Sequence, residues 1–487
     1  MTARVFGAVD VGASGGRVIA GLAEGGEVTL RPVHRFENAP VLRQGRLRWD
    51  IETIFGEILL GLGALGREFP QVESIGIDTW GVDYGLLDEH GTLLADPVSY
   101  RDERTHDVVD SVHARISRGD LYAINGLQFL PFTTLYQLAA ERDDVLWDRA
   151  AHVVLLPDLL GYWLTGVLGT EVTNASTTGL LDAATGVWSA QIMAAVGVDA
   201  GRLPALRRPG QVLGGLSEEV GRSTGLRSSV VVTTVGSHDT ASAVVAVPAA
   251  ESPFVYISSG TWSLVGTELD QPIITEEAMA DNFTNERGVD DRIRFLRNVG
   301  GLWLLQESLR SWAEQGQLLE LAPLLRQAAE LPSGVPLIDV DDPRFMAPGD
   351  MPDRIRSVVA AQGFSLSTNP AATVRCIIQS LASSYAATVD RTLTLSEVDI
   401  DTIHIVGGGS QNPVLCQWTA NLSGRTVVAG PVEATALGNV LVQATAFGAA
   451  PDDLGHLRRN LAEHEQLRRY VPTGSEAPRI MERPWLR

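Results

Sequence analysis

In the stretch VGSHDTASAV, Asp239 follows Ser237 and His238 directly and stands between an apolar strand-like run and a row of small residues that reads as a helix start. A carboxylate there can take a proton from an alcohol, the task of a general base when a hydroxyl is made nucleophilic. An aspartate in a turn often does no more than accept backbone hydrogen bonds. The rest of the chain decides between these readings.

Two further stretches carry residue types with chemistry to do. In DVGASGGR, Val5 to Val11 read as a buried strand, Gly12 to Gly16 as a tight turn and Arg17 to Ala23 as a returning strand. Small residues at Ala13, Ser14, Gly15 and Gly16, with Arg17 after them, let phosphate oxygens approach consecutive N–H groups, while Asp10 at the strand end can face a hydrated magnesium ion. In IGIDTWGVDYGLLD, a strand runs into Asp78, Thr79, Trp80, Gly81 and Asp83, and PVSYRDERT adds Arg101, Asp102 and Arg104. Carboxylates accept bonds from hydroxyls and an indole packs on C–H faces, so this pairing suits a polyol. A buried tryptophan with turn-forming aspartates is the plainer alternative.

The elements that must position these groups follow from hydrophobic spacing. Val28 to Phe36 supply a third strand. Asp50 reads as the N-cap of a helix whose apolar residues Ile51, Ile54, Phe55, Ile58, Leu59, Leu62 and Leu65 share one face. LLPDLLGYWLTG predicts a helix, and the polar run Asn174 to Thr178 after it can line a pocket. Val230 to Val235 form a β-branched strand leading into the Asp239 motif. A domain boundary is expected near residue 248, giving domains 1–248 and 249–487.

The second half opens as the first did: Phe254 to Ile257 as strand, Ser258 to Thr261 as turn, Trp262 to Gly266 as returning strand, which suggests a duplicated core. Asn298 and Gln306 flank the start of an amphipathic helix. Residues from about 336 to 369, rich in Pro, Asp and Gly, read as irregular connection. Asn369 with Pro370 starts a long helix. Ile403 to Val406 break into Gly407, Gly408 and Gly409 before a helix beginning at Asn412 and Pro413, an arrangement that brings backbone against the adenosine part of a nucleotide. This is not GxGxxG and no acidic partner follows about twenty residues on, which disfavours a dinucleotide fold. Gly438 allows close helix packing.

Composition removes several function classes. Among 487 residues there is no lysine, so all 38 fixed side-chain cations are arginines, and the formal charge is -21. Broad binding to nucleic acid or an anionic membrane needs clustered basic charge, and the lysine-bearing P-loop is excluded outright. Two cysteines, Cys376 and Cys416, are too few for a disulfide framework and match no metal-ligand spacing. With no apolar run of about 18 residues and no signal-peptide pattern, a cytoplasmic enzyme is the expectation.

Taken together, DVGASGGRV, IGIDTWGVDYGLLD, PVSYRDERT, SHDTASAV, YISSGTWSLVG, NVGGLWLLQES, HIVGGGSQN and AGPVEATALGN resemble the FGGY family of carbohydrate kinases, in order along nearly the whole chain. The resemblance implies an α/β protein of two ribonuclease-H-like domains of the actin, hexokinase and Hsp70 superfamily, with ATP and sugar meeting in an interdomain cleft. It further implies transfer of phosphate to the C1 hydroxyl of a ketose, L-rhamnulose, with L-fuculose or L-xylulose as alternatives. Carried onto this sequence, it makes Asp239 the catalytic base, Gly81 and His238 ketose contacts beside Trp80, Asp83 and Arg101, and Ala13 to Arg17 the phosphate turn. Thr261, Asn298, Gln306 and Gly407 fall around the ATP nucleotide, and Asp10 near Mg2+. Two residues depart from the pattern: Gly15, where close relatives carry a second serine, and Asp158, where many members of other specificities carry a lysine.

Overall fold

Arg4–Gly12 (β1) presents seven consecutive buried residues, the pattern of a strand flanked by neighbours and covered on both faces. It pairs antiparallel with Gly15–Glu24 (β2), which pairs antiparallel with Glu27–Glu37 (β3), so the expected hairpin and third strand are present. On its other side β1 runs parallel to Val72–Thr79 (β4). Val212–Gly215 (β5) and Val231–Thr233 (β6) complete the sheet in the order β5-β6-β4-β1-β2-β3.

The chain, a computed structural model describing residues 3–142, 144–332 and 334–473, divides into two units. The first comprises Met1–Ser252, Glu268–Leu296 and Glu433–His464, the second Pro253–Thr267, Arg297–Val432 and Glu465–Arg487.

Strand alternation sorts the first unit's sheet into two faces. Gly7 meets Leu65 of the helix Ile51–Glu68, whose N-cap is Asp50 as expected, its side chain accepting from Thr53 N at 3.3 Å. Phe6 and Ala8 pack instead with Ala436, Val440 and Ala444 of the helix Ala434–Ala446. Asp10 continues that second face, and its register partner on β4 is Asp78. A short helix, Asp239–Val245, lies against the Ala434 helix so closely that a Cβ on Gly438 would stand 1.8 Å from the Ser242 carbonyl oxygen.

In the second unit Val255–Ser259 (β7) and Trp262–Leu269 (β8) form the expected second hairpin. β7 runs parallel to Thr402–Val406 (β9), β9 parallel to Thr426–Ala429 (β10), and β10 antiparallel to Arg468–Tyr470 (β11). Each unit thus carries a hairpin, then two parallel neighbours, then an antiparallel edge, the duplication suggested by the two strand-turn-strand openings. The helix Pro370–Ser396, capped by Asn369, fills this unit's core with Val374, Ile377, Ile378, Leu381 and Tyr385. Cys376 and Cys416 are buried and free.

One expectation is corrected. Within 336–369 lies a helix, Met351–Ala361, whose N-cap Asp350 accepts from Asp353 N at 3.0 Å. Its buried face, Ile355, Val358 and Val359, is at helical spacing, and the Pro, Gly and Asp that read as irregular belong to its flanks and first turn. Among the described residues no helix is long and apolar enough to cross a membrane.

Candidate active site

Three carboxylates lie near one another in the first unit. Asp10 lies two residues before the end of β1, Asp78 stands beside it on β4, and the next residue, Thr79, is bridged to His238, directly before Asp239 at the start of its helix. Thr79 N donates to Ser237 O at 2.9 Å, carrying the sheet register up to the Asp239 helix.

Their environments differ, and that difference sorts their chemistry. Asp10 Oδ2 accepts from Arg17 Nε at 2.9 Å and Nη2 at 2.7 Å, and Arg17 Nη1 lies 2.7 Å from Glu433 Oε2. Burial raises the Asp10 pKa, against the Arg17 guanidinium, which lowers it. Asp78 is fully enclosed: Oδ2 accepts from Asn439 Nδ2 at 2.6 Å, while Oδ1 has no hydrogen-bond partner. Burial first and the neighbouring Asp10 second hold its carboxyl well above the usual range. The Asp239 side chain is 32% exposed, touched by Thr240 Oγ1 at 3.1 Å and by His238 Nε2 at 3.5 Å. Of the three, Asp239 is the most exposed.

His238 is turned by a buried group behind it. Its Nδ1 lies 3.1 Å from Arg294 Nη2 and 3.3 Å from Glu286 Oε2, and Arg294 Nη2 is 3.0 Å from Glu286 Oε2. The Arg294 side chain has no exposure at all.

The loop after β4 holds an aromatic group. Trp80 packs on Trp49 with ring centroids 4.4 Å apart, Tyr100 lies 6.5 Å from Trp49 and 5.4 Å from Phe132, and the Arg101 guanidinium stands 5.0 Å over the Tyr100 ring. Gly81 is packed so that a Cβ would meet Thr177 Oγ1 at 2.8 Å, and Val82 follows at φ 68°, a strained conformation for a β-branched residue. Asp83 sits behind the rings rather than among open groups. Its Oδ2 accepts from Trp49 Nε1 at 2.7 Å, Trp80 Nε1 at 2.9 Å and Tyr100 N at 3.2 Å, and its Oδ1 from Gln137 Nε2 at 3.1 Å. Its carboxylate is directed to the protein, where it fixes both indoles.

Burial pushes the Asp83 carboxyl up to about 6 despite those four donors. A folded-state pKa above the unfolded value of 3.8 means that the native form holds the proton more tightly. The stability that this group contributes is therefore full below about pH 4 and is lost as pH rises through about 6, roughly 3 kcal/mol for Asp83 alone. Asp83→Asn, which has no proton to lose, is expected to flatten that slope. Urea midpoints of both proteins at pH 4 and pH 7 check it, and an unchanged slope would contradict the assignment.

At the first hairpin, Gly12 pairs with Gly15 around Ala13 and Ser14, and Asn38 Nδ2 donates to Gly12 O at 2.9 Å. Gly16 has a packing reason of its own, since a Cβ there would meet the Phe36 ring at 2.1 Å. In the second unit the β7–β8 turn gathers most of the residues named for the nucleotide. Trp303 N donates to Thr261 O at 3.2 Å at the start of the helix Trp303–Glu314, which carries Gln306 exposed in its first turn. Gly407, at φ 80°, would bring a Cβ within 3.0 Å of Ser259 O, and Asn298 lies half-buried on the strand Ile293–Gly300.

Several site-building residues carry no signal in local sequence: Trp49, Glu171, Glu286 and Arg294. Each acts through a partner far along the chain.

Magnesium is tested by the donor set. Asp10 and Asp78 offer carboxylate oxygens side by side, one of them unpartnered, with Arg17 as neighbouring cation. Among the described residues no three His, Cys, Asp or Glu side chains form a metal site. That combination fits an ion that keeps much of its water and takes other ligands from phosphate.

Comparison with known proteins gives the following. Residues 5–246 match the N-terminal domain, and residues 255–447 the C-terminal domain, of the FGGY family of carbohydrate kinases. A curated relative named Rhamnulokinase from Oceanobacillus iheyensis is 39% identical over 471 residues, 96% of this chain and 98% of its own. One of the same name from Bacteroides thetaiotaomicron is 40% identical over 469 residues, 96% of both chains. Among solved structures, xylulose kinase from Lactobacillus acidophilus superposes with a TM-score of 0.78 at 17% identity, over 97% of this chain and 95% of its own. Plasmodium falciparum glycerol kinase with ADP gives 0.72 at 15%, over 96% and 94%.

Proposed function

Because the chain belongs to the FGGY family of carbohydrate kinases, and so is an ATP-dependent phosphotransferase, we propose that it transfers the γ-phosphoryl group of ATP to the C1 hydroxyl of L-rhamnulose, with Asp239 as general base. The observation that carries the base is the group of three carboxylates in which Asp10 is tied to Arg17, Asp78 is enclosed and Asp239 is the most exposed. The sugar rests on the relatives named Rhamnulokinase, about 40% identical along almost the full chain.

In this reading the ketose lies on the Trp80 and Gly81 loop, with Arg101 and the Nε2 edge of His238 as polar contacts. Asp83 serves indirectly, by holding the Trp80 and Trp49 rings. The C1 hydroxyl gives its proton to the Asp239 carboxylate as its oxygen bonds to the γ-phosphorus and the bond to ADP breaks. Arg17 and the Ala13 to Gly16 turn receive phosphate oxygens, and Thr261, Asn298, Gln306 and Gly407 receive the rest of the nucleotide. Asp10, with Asp78 beside it, would hold Mg2+, which when bound neutralises charge on the phosphates. Most of the rate then comes from positioning and charge neutralisation.

A coupled ADP-release assay over L-rhamnulose, L-fuculose and L-xylulose tests this, with the phosphorylated carbon located by NMR. The highest kcat/KM is expected with L-rhamnulose and the product phosphorylated at C1. Preference for another ketose would overturn the substrate, and ADP release indifferent to any ketose would overturn the kinase reading in favour of an ATP-driven switch.

A further inference from the structure

Glu171 lies in the polar stretch EVTNASTT, outside every motif so far given a task, and both its neighbours and its burial are unusual. It caps the single helical turn Val172–Ala175, with Oε1 accepting from Thr173 N at 2.9 Å. Serine, threonine or aspartate serves such a cap equally well, so capping alone does not call for a longer, fully enclosed carboxylate.

The other oxygen reaches elsewhere. Oε2 accepts from Ser237 N at 3.0 Å and Ser237 Oγ at 2.7 Å, and also from Thr173 Oγ1 at 2.5 Å. The same turn adds two more links to that segment: His238 N donates to Thr173 Oγ1 at 3.3 Å, and Asn174 Nδ2 lies 3.4 Å from Ser237 O and 3.5 Å from Trp80 O. One buried carboxylate and the turn it organises therefore fasten the two residues preceding Asp239 and the first residue of the aromatic loop. On the other side, β4 holds the same segment through Thr79 N.

We propose that Glu171 is a positioning residue for phosphoryl transfer, setting the Asp239 carboxylate by clamping Ser237 from behind. This rests on the reading of Asp239 as the base. Glu171 itself touches neither substrate nor the reacting atoms. Its ionised form suits the role, because a carboxylate surrounded by N–H and O–H donors accepts several bonds at once and each is strengthened by the charge. Burial raises the Glu171 pKa while the Thr173 and Ser237 donors lower it. The adjacent Asp158, whose Oδ1 accepts from Glu171 N at 3.1 Å, is held well above the usual range by burial and then by the charge of Glu171. Of these two buried acids, the one facing the Ser237 donors has the reason to stay charged.

The test is a set of three variants measured for kcat, KM for ATP and urea midpoint. Glu171→Gln keeps the shape but turns an N–H2 or a single acceptor toward two donors, and kcat is expected to fall roughly 10- to 100-fold, the scale of a misplacement of about 1 Å. KM for ATP is expected to stay within about twofold, because the Ala13 to Arg17 turn is held by other strands. Ser237→Ala removes one of the two bonds and is expected to cost roughly 3- to 10-fold in kcat. In the double variant kcat should be no lower than in Glu171→Gln alone, since both act through one contact.

A purely structural Glu171 would lower the urea midpoint and leave kcat per folded enzyme at its original value, and that result overturns the proposal. Independent, multiplying effects in the double variant would also overturn it. If Glu171→Gln does not fold, Ser237→Ala decides, with unchanged kcat counting against the clamp. Asp239→Asn assayed alongside separates the two levels: turnover surviving there removes the base, whereas its loss together with a fully active Glu171→Gln removes only the clamp.

Discussion

Asp239→Asn is expected to lower kcat roughly 100- to 10,000-fold while leaving the fold and ATP affinity in place. The exchange keeps size and replaces an acceptor of protons with an amide. Neither neighbouring carboxylate is placed to substitute, since Asp10 Oδ2 is engaged twice by Arg17 and Asp78 is fully enclosed. Only weak contacts hold the Asp239 side chain, so its loss disturbs little packing. Steady-state kinetics, with calorimetric titration of a non-hydrolysable ATP analogue, check both halves. Wild-type turnover would show that the proton goes elsewhere.

The second large effect concerns stability. Gly438→Ala places a Cβ 1.8 Å from Ser242 O and 2.6 Å from Ser242 C, contacts with backbone that no rotamer change relieves. Overpacking of this kind costs roughly 1–3 kcal/mol, against a gain of up to about 1 kcal/mol from replacing glycine inside a helix. Because Ser242 belongs to the helix that begins at Asp239, kcat is expected to fall with stability. Gly56→Ala is the control. Gly56 is also inside a helix, Ile51–Glu68, but is exposed, and a Cβ there meets nothing within 4 Å, so the same exchange should stabilise by roughly 0.5–1 kcal/mol. Urea midpoints of the two variants should move in opposite directions, and equal shifts would contradict the packing argument.

What could be read from sequence was local. β1 and β2 announce themselves by an apolar run broken by small residues, and the caps at Asp50, Asn369 and Asn412 by their position before apolar spacing. Asp10 and Asp78 are legible as carboxylates at strand ends, and Asp239 as one between a strand and a helix start. Their register is not, because pairing is set between segments and not within them. Asp83 shows the limit most clearly. Its residue type suggested a hydroxyl acceptor, but orientation is decided by Trp49 and Gln137, 34 and 54 residues away, whose donors draw it inward. Likewise nothing local in the Ala434 helix, apart from the small Gly438, foretells that Asn439 will meet an aspartate 361 residues earlier.

That last contact bears on how the polypeptide is made. On the ribosome, β1 to β6 are complete by residue 233, yet the helix that covers Phe6 and Ala8, and supplies donors to Asp78 and to Gly7 O through Asn439 and Gln443, is encoded some two hundred residues later. Until then the sheet lacks the helix that covers this apolar face and donates to Asp78 and Gly7 O. The span from Pro253 to Val432 meanwhile emerges with most of its own core in hand. The half bearing Asp239 therefore draws part of its core from Glu433–His464, which a piece ending at residue 252 would lack.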